Sequence, residues 1–136
     1  MITPTINYLA VFVAAVVSIV LGAFWYSPVL FGKIWMQGSK MSEKDIKKGH
    51  VTKAYVITFI TALVTAYILA LFLDYLEAST ISAAFIGAFW IWLGFYATTA
   101  TGPILWENKP WTLYFLNVGY HLVALILMAV ILTLWV

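Results

Sequence analysis

The sequence predicts an all-α fold, an integral membrane four-helix bundle made of two tandem helical hairpins. Three observations carry this. The first is composition: of 136 residues 65% are hydrophobic and 9% charged, with a mean hydropathy of +1.02, whereas a soluble domain carries about 25% charged residues. The second is where charge is missing. Residues 1–32, 54–73, 78–106 and 110–136 contain no Asp, Glu, Lys or Arg, and crossing the hydrocarbon layer takes about 20 apolar residues. The third is that pieces of the first half return in the second.

The first span is expected over about 6–25. It lacks a basic segment before it and is longer than the apolar part of a signal peptide, so a retained helix is expected. Ala10, Ala14, Ser18 and Gly22 recur every four residues. They line one face and allow close approach of another helix, which in lipid substitutes for the hydrophobic drive. Asn7 fits a cap or an interfacial hydrogen bond. Tyr26-Ser27-Pro28 then breaks the helix, because proline lacks an amide proton and restricts the residue before it. Residues 28–36 remain apolar and aromatic, which suits a short interfacial segment, with a re-entrant turn among the helices as the alternative.

The loop is expected over 27–53, polar from Gln37 to Lys53, with a capping box at Ser42 and Asp45, a Glu43–Lys47 pair and Gly49 as a stop. His50 reads as a solvated loop histidine. The second span is expected over 54–73, with a stripe of Ala54, Thr58, Ala62, Ala66 and Ala70. Its threonines can return their hydroxyls to the preceding turn. Asp74 and Glu77 make an acidic turn, and Ser79 or Thr80 caps the third span, expected over 81–101. That span has small faces at Ala83, Gly87, Gly94 and Thr98, and Gly102-Pro103 is expected to stop it. The fourth is expected over 112–135. Trp25, Tyr26, Trp35, Trp106, Trp111 and Trp135 fall near span ends, as in interfacial aromatic belts. Trp90 and Trp92 lie deeper, where core packing or lipid contact is the default.

Gly22-Ala23-Phe24-Trp25 recurs as Gly87-Ala88-Phe89-Trp90. Ser27-Pro28-Val29-Leu30-Phe31, with Lys33 and Trp35, resembles Gly102-Pro103-Ile104-Leu105-Trp106, with Lys109 and Trp111. Past the loops, Tyr55–Thr58 lies on Tyr114–Asn117, which sets Thr61 against Tyr120 and Ala62 against His121. Two duplicated hairpins share orientation, so a parallel internal repeat is expected, with a pseudo-two-fold axis along the membrane normal.

All seven basic residues are lysines, and six fall between Lys33 and Lys53. The loop 27–53 is therefore expected on the cytoplasmic side of the cell membrane and both termini outside. The same placement makes a nucleic-acid role inapt. The expected partners are the lipid bilayer and either further copies of the chain or helices of another membrane protein. The chain has no cysteine, and no metal or cofactor is expected. Nor is an enzyme, since no nucleophile–base pair or ligand triad stands at recognisable spacing.

One polar patch lies at membrane depth: Asn117-Val118-Gly119-Tyr120-His121. With Tyr114, Thr98, Ser18 and Thr58, Asn117 and His121 make a candidate intramembrane site. Two readings stand side by side. These groups hydrogen-bond across the bundle to Ser18, Thr58 or Thr98–Thr101, or they line a cavity for a small polar solute or a proton.

Gly22, Trp25, Tyr26, Ser27, Pro28, Phe31, Gly32 and Trp35 form a Gly-x-x-Trp-Tyr-Ser-Pro-x-x-Phe-Gly-x-x-Trp pattern. With four spans in so short a chain, it resembles a family of small prokaryotic integral membrane proteins known as a domain of unknown function. The resemblance covers nearly the whole chain. It implies four-span topology and brings no reaction, ligand or catalytic residue. Two functions of different class follow: a small transporter or channel-like protein, or a non-transporting accessory protein that packs against partner helices.

Overall fold

A computed structural model describes residues 6–27, 30–39 and 48–135. Pro28, the Ser42–Asp45 capping box and the Glu43–Lys47 pair lie outside them. Among the described residues all regular structure is helical: α1 (Tyr8–Trp25), α2 (Gly32–Ser39), α3 (Lys48–Tyr75), α4 (Ile81–Ile91), a π-helical turn (Trp92–Ala97), α5 (Thr101–Trp106) and α6 (Trp111–Leu134). Four stretches are long and apolar enough to cross a membrane: Tyr8–Trp25, Thr52–Tyr75, Ile81–Trp106 and Trp111–Leu134.

Asn7 both caps α1 and ties it down. Its Oδ1 accepts from the Ala10 amide at 3.1 Å, and its Nδ2 donates to the Trp135 carbonyl at 3.1 Å. The start of α1 thus meets the end of α6, and the two helices run antiparallel. The apolar stretch after α1 becomes the eight-residue helix α2, packed on α6.

α3 begins six residues before the expected Ala54. It takes in Lys53 and the backbone of His50 and Gly49, which were expected in a loop. At 1.5 Å per residue its 28 residues extend about 42 Å, more than the roughly 30 Å hydrocarbon layer. Its first turns therefore overshoot, and Lys53 reaches the polar region. Asp74, expected in the turn, belongs to the last turn of α3. The end of α3 closes with Ala78 N–H on the Leu73 carbonyl and Glu77 N–H on the Asp74 carbonyl, both 3.0 Å. Glu77 sits at φ 55°, a left-handed conformation that costs a residue with a Cβ about 1–2 kcal/mol. Glu77→Gly should therefore stabilise the protein by about 1 kcal/mol, seen as a higher unfolding midpoint in detergent.

Thr80 caps α4 by accepting from the Ala83 amide at 3.1 Å. The third span does not stop at Gly102-Pro103 as predicted. It widens into the π turn, bends at residues 98–100, and resumes as α5. Pro103 falls in the first turn of α5, where no intrahelical donor is needed. The π turn leaves carbonyls poorly matched to amides, and hydroxyls take them up. Thr98 donates to the Gly94 carbonyl at 2.8 Å, Thr99 to Phe95 at 2.6 Å and Thr101 to Thr98 at 2.7 Å.

α1 packs against α3 and α6, and α4 packs against α6. Buried residues of all four join in one cluster: Ala14 and Ala15 of α1, Ala66 and Leu69 of α3, Ala84 and Ala88 of α4, and Ala124 and Met128 of α6 among them. The α1 stripe is buried at Ala10, Ala14 and Ser18, as predicted. The α3 stripe is buried at Ala62 and Ala66, while Ala54, on the overshooting end, and Thr58, farther along, are exposed. On the third span the buried small face is Ala84 and Ala88, not Gly94 and Thr98, which are exposed. The large side chains Phe12, Phe24, Phe72, Phe85, Trp90 and Phe95 point outward. Small residues inside and bulky apolar ones outside is the arrangement lipid favours.

Candidate functional site

Two local constructions meet on α6. The first is the corner that leaves α1. Phe31 N–H reaches back to the Trp25 carbonyl at 3.1 Å, and the Ser27 carbonyl accepts from Leu30 at 3.1 Å and Gly32 at 2.8 Å. The Ser27 hydroxyl donates to the Phe24 carbonyl at 2.6 Å. This folded corner lays its aromatic side chains on α6. The Trp25 indole donates to the Leu116 carbonyl at 3.1 Å, and the Tyr26 hydroxyl to Asn117 Oδ1 at 2.7 Å. Phe31 lies tilted against Trp25 with ring centroids 4.9 Å apart, and Trp35 meets Tyr26 edge to face at 6.0 Å. Trp25 also lies 3.5 Å from where a Gly119 Cβ would be. Trp25 and Tyr26 are thus half-buried anchors at the end of α1, whereas Trp106, 87% exposed, and Trp111 are exposed at the ends of their helices.

Burial pushes the Tyr26 phenol above its ordinary range, and the Tyr120 phenol adds to the effect. Tyr26 therefore stays protonated and donates at any physiological pH. Removing its hydroxyl with Tyr26→Phe leaves Asn117 Oδ1 half-buried without that donor, and should cost about 1–2 kcal/mol in detergent unfolding. The double variant Tyr26→Phe/Asn117→Leu should lose less than the sum of the two single changes, because the two groups share one bond.

The second construction is a cleft of about 200 Å³ between α1, α3, α6 and the π turn. His121 forms part of its floor, stacked on Tyr96 at 4.7 Å and tilted against Tyr120 at 5.1 Å. Tyr120 is held by its hydroxyl, which donates to the Ser18 carbonyl at 2.8 Å and lies 3.4 Å from Ser18 Oγ. Thr58, Thr61 and Thr65 of α3 supply the facing wall, with Thr61 returning its hydroxyl to the Thr58 carbonyl at 2.9 Å. The inner end is apolar, formed by Ala124, Leu125 and Met128. Among the described residues nothing hydrogen-bonds the His121 ring, and no lysine or carboxylate lines the cleft. His121 is ten residues into the 24-residue α6, about 15 Å along its axis, toward the middle of that helix. No group of His, Cys, Asp and Glu suited to a metal occurs among the described residues.

Of the six candidate site residues, the structure brings Ser18, Thr58 and His121 to this cleft. The other three are engaged elsewhere. Asn117 holds Tyr26, Tyr114 donates to the Ala97 carbonyl at 2.6 Å, and Thr98 bonds within its own helix. Neither Asn117 nor His121 bonds to Ser18, Thr58 or Thr98. Tyr96, Tyr120, Thr61 and Thr65 complete the cleft. The threonines stood at helical spacing from Thr58 and were legible. Tyr96 was not, because the π turn shifts which face it presents. The same turn aims Trp92, whose indole donates to the Val118 carbonyl at 2.7 Å.

A family model described as protein of unknown function, DUF1761, matches residues 9–133. The chain belongs to that family. No curated protein and no solved structure matches it.

Proposed function

We propose that this DUF1761 member is a small transporter or channel-like protein of the cell membrane, and that the His121 cleft is where a small polar solute binds. The observation that carries this reading is an imidazole midway along α6, fixed by two aromatic rings, with no hydrogen-bond partner among the described residues and a wall of threonines opposite. Ionisable groups are rare in spans and tend to mark pathways. The lining offers hydroxyls, one imidazole and ring faces but no full charge, which suits a neutral or weakly basic solute. It supplies no activated nucleophile, so the protein is not an enzyme in this reading.

The remaining architecture fits the same reading. In this reading the four spans form a bundle of two hairpins, α1 with α3 and α4 with α6, joined to each other through the packing of α1 on α6. Under the proposed repeat, Thr61 and Ala62 correspond to Tyr120 and His121, and all four line the one cleft. Lys33, Lys53 and Lys109 gather where α1 ends and α6 begins, while Asp74 and Glu77 mark the opposite end. The positive-inside rule then sets the lysine end in the cytoplasm and the termini outside. The bilayer is one partner, and further copies of the chain complete the oligomer.

The absence of cysteine makes single-thiol labelling clean. Thr65→Cys in proteoliposomes should react with a small water-soluble methanethiosulfonate nearly as well as Lys53→Cys. Val64→Cys, next along the helix and lipid-facing, should not react. The reading fails if Thr65→Cys is as inert as Val64→Cys. The accessory-protein alternative rests on the exposure of Thr58 and Thr61, a polar rim against which a partner helix would pack, and an inert Thr65→Cys is what it requires.

A further inference from the structure

A second cavity, of about 210 Å³, lies at the other end of the same α1–α3–α6 seam. Its polar lining is Asn7, Asp74, Thr133 and Trp135, set among apolar walls such as Ile6 and Leu132. Thr133 is 6% exposed, and its hydroxyl has no hydrogen-bond partner among the described residues. That is unusual for a helical threonine, which normally returns its hydroxyl to the preceding turn. A buried hydroxyl left unmatched is costly and asks for a partner.

The surroundings define what partner would fit. Two helix C-termini converge here: α3 ends at Tyr75 and α6 at Leu134. Each brings the negative end of a helix dipole, although many of the end carbonyls are already matched: Phe72, Leu73 and Asp74 by amides of the turn, Ile131 by Trp135 and Trp135 by Asn7. The Asp74 carboxylate stands on the last turn of α3. The start of α1 is also present, but the Ala10 amide there is taken by Asn7 Oδ1, and the Asn7 Nδ2 donates to the Trp135 carbonyl. What the lining leaves to offer is the Asp74 carboxylate, its one formal negative charge, and the unmatched Thr133 hydroxyl. An anion would be repelled. The lining lacks histidine, cysteine or a second carboxylate, so a transition metal is disfavoured.

We propose that this cavity binds a small monovalent cation, an alkali ion or a primary ammonium, through Asp74 and Thr133. The inference stands apart from the reading of the His121 cleft. The test is the unfolding midpoint of the full chain in detergent at constant ionic strength, with choline chloride replaced stepwise by sodium, potassium or methylammonium chloride. At least one of the three should raise the midpoint saturably by a few degrees over choline. Thr133→Val and Asp74→Asn should abolish the rise, and Glu77→Gln, outside the cavity, should keep it. Response to sodium or potassium assigns an alkali ion; response to methylammonium assigns an ammonium group. No response to any of the three overturns the proposal, as does a response that survives undiminished in Thr133→Val. Thr133→Val matches threonine in shape and removes the orphan hydroxyl, so its own folding is secure.

Discussion

Gly32→Ala should cost about 3 kcal/mol of stability or more, at the upper end of what a single added carbon in a packed site causes. The reason is local and steric. A Cβ on Gly32 would lie 2.5 Å from the Tyr26 carbonyl oxygen, 2.7 Å from the Ser27 carbonyl carbon and 2.8 Å from its oxygen. These are backbone atoms in the turn that carries Tyr26 and Trp25, so no flexible side chain can yield. The glycine has no left-handed φ to protect; its role is close approach. Relief requires opening the corner, which draws Trp25 off the Leu116 carbonyl and Tyr26 off Asn117. The loss should therefore appear twice, as a lower unfolding midpoint in detergent and as a red-shifted, more exposed tryptophan emission. Gly94→Ala and Gly102→Ala are the controls. Neither Cβ meets anything within 4 Å, and alanine favours helix, so both should be neutral or slightly stabilising. If Gly32→Ala behaves like them, the corner does not hold α1 to α6.

The corner also shows what a sequence pattern can and cannot say. The Gly22–Trp35 pattern was visible as a helix end with a break, and its residues as candidates for a boundary belt. Its structural role lay in the partner it packs against. Asn117, Gly119 and Tyr120 are separated from it by about ninety positions, and only the antiparallel pairing of α1 with α6 brings them together. The same pairing explains why the Asn117–His121 patch divides. Four residues apart, the two side chains share a face in principle, but the Tyr26 hydroxyl takes Asn117 at one level while Tyr96 and Tyr120 cover His121 at the next.

The spans themselves were legible because charge is excluded from lipid, a constraint that acts on every residue of a segment. The α1 stripe was legible because a helix that crosses both α3 and α6 must be small along that whole face. The α3 stripe misled at Ala54, where the helix overshoots the packed region, and at Thr58, which lines the open cleft rather than a helix contact. The π turn left no sign in the sequence. One extra residue per turn shifts the face of Trp92 and Tyr96 without altering hydrophobicity. Gly102-Pro103 was read by a rule for helix interiors, whereas the preceding bend makes it a helix start.

Ala14→Leu should be the most damaging change within the spans. Ala14 is fully buried in the cluster joining α1 to α3 and α6, so the added side chain has no lipid-facing escape. Overpacking of this kind costs about 1–3 kcal/mol even where a core can adjust. Here close approach of helices is the main source of association, with no hydrophobic drive to offset its loss. Val20→Leu on the same helix, directed outward, should leave the midpoint unchanged. A second consequence links the packing to the cleft. Ala14 lies one turn from Ser18, which fixes Tyr120 at 2.8 Å. Prising α1 away should release Tyr120, loosen its contact with His121 and admit water. In the Ala14→Leu background the labelling rate of Thr65→Cys should therefore rise above that in the parent. An unchanged midpoint would show that α1 tolerates separation. A lower midpoint with unchanged labelling would show that the cleft is shaped by α6 and the π turn alone, with Ser18 dispensable to it.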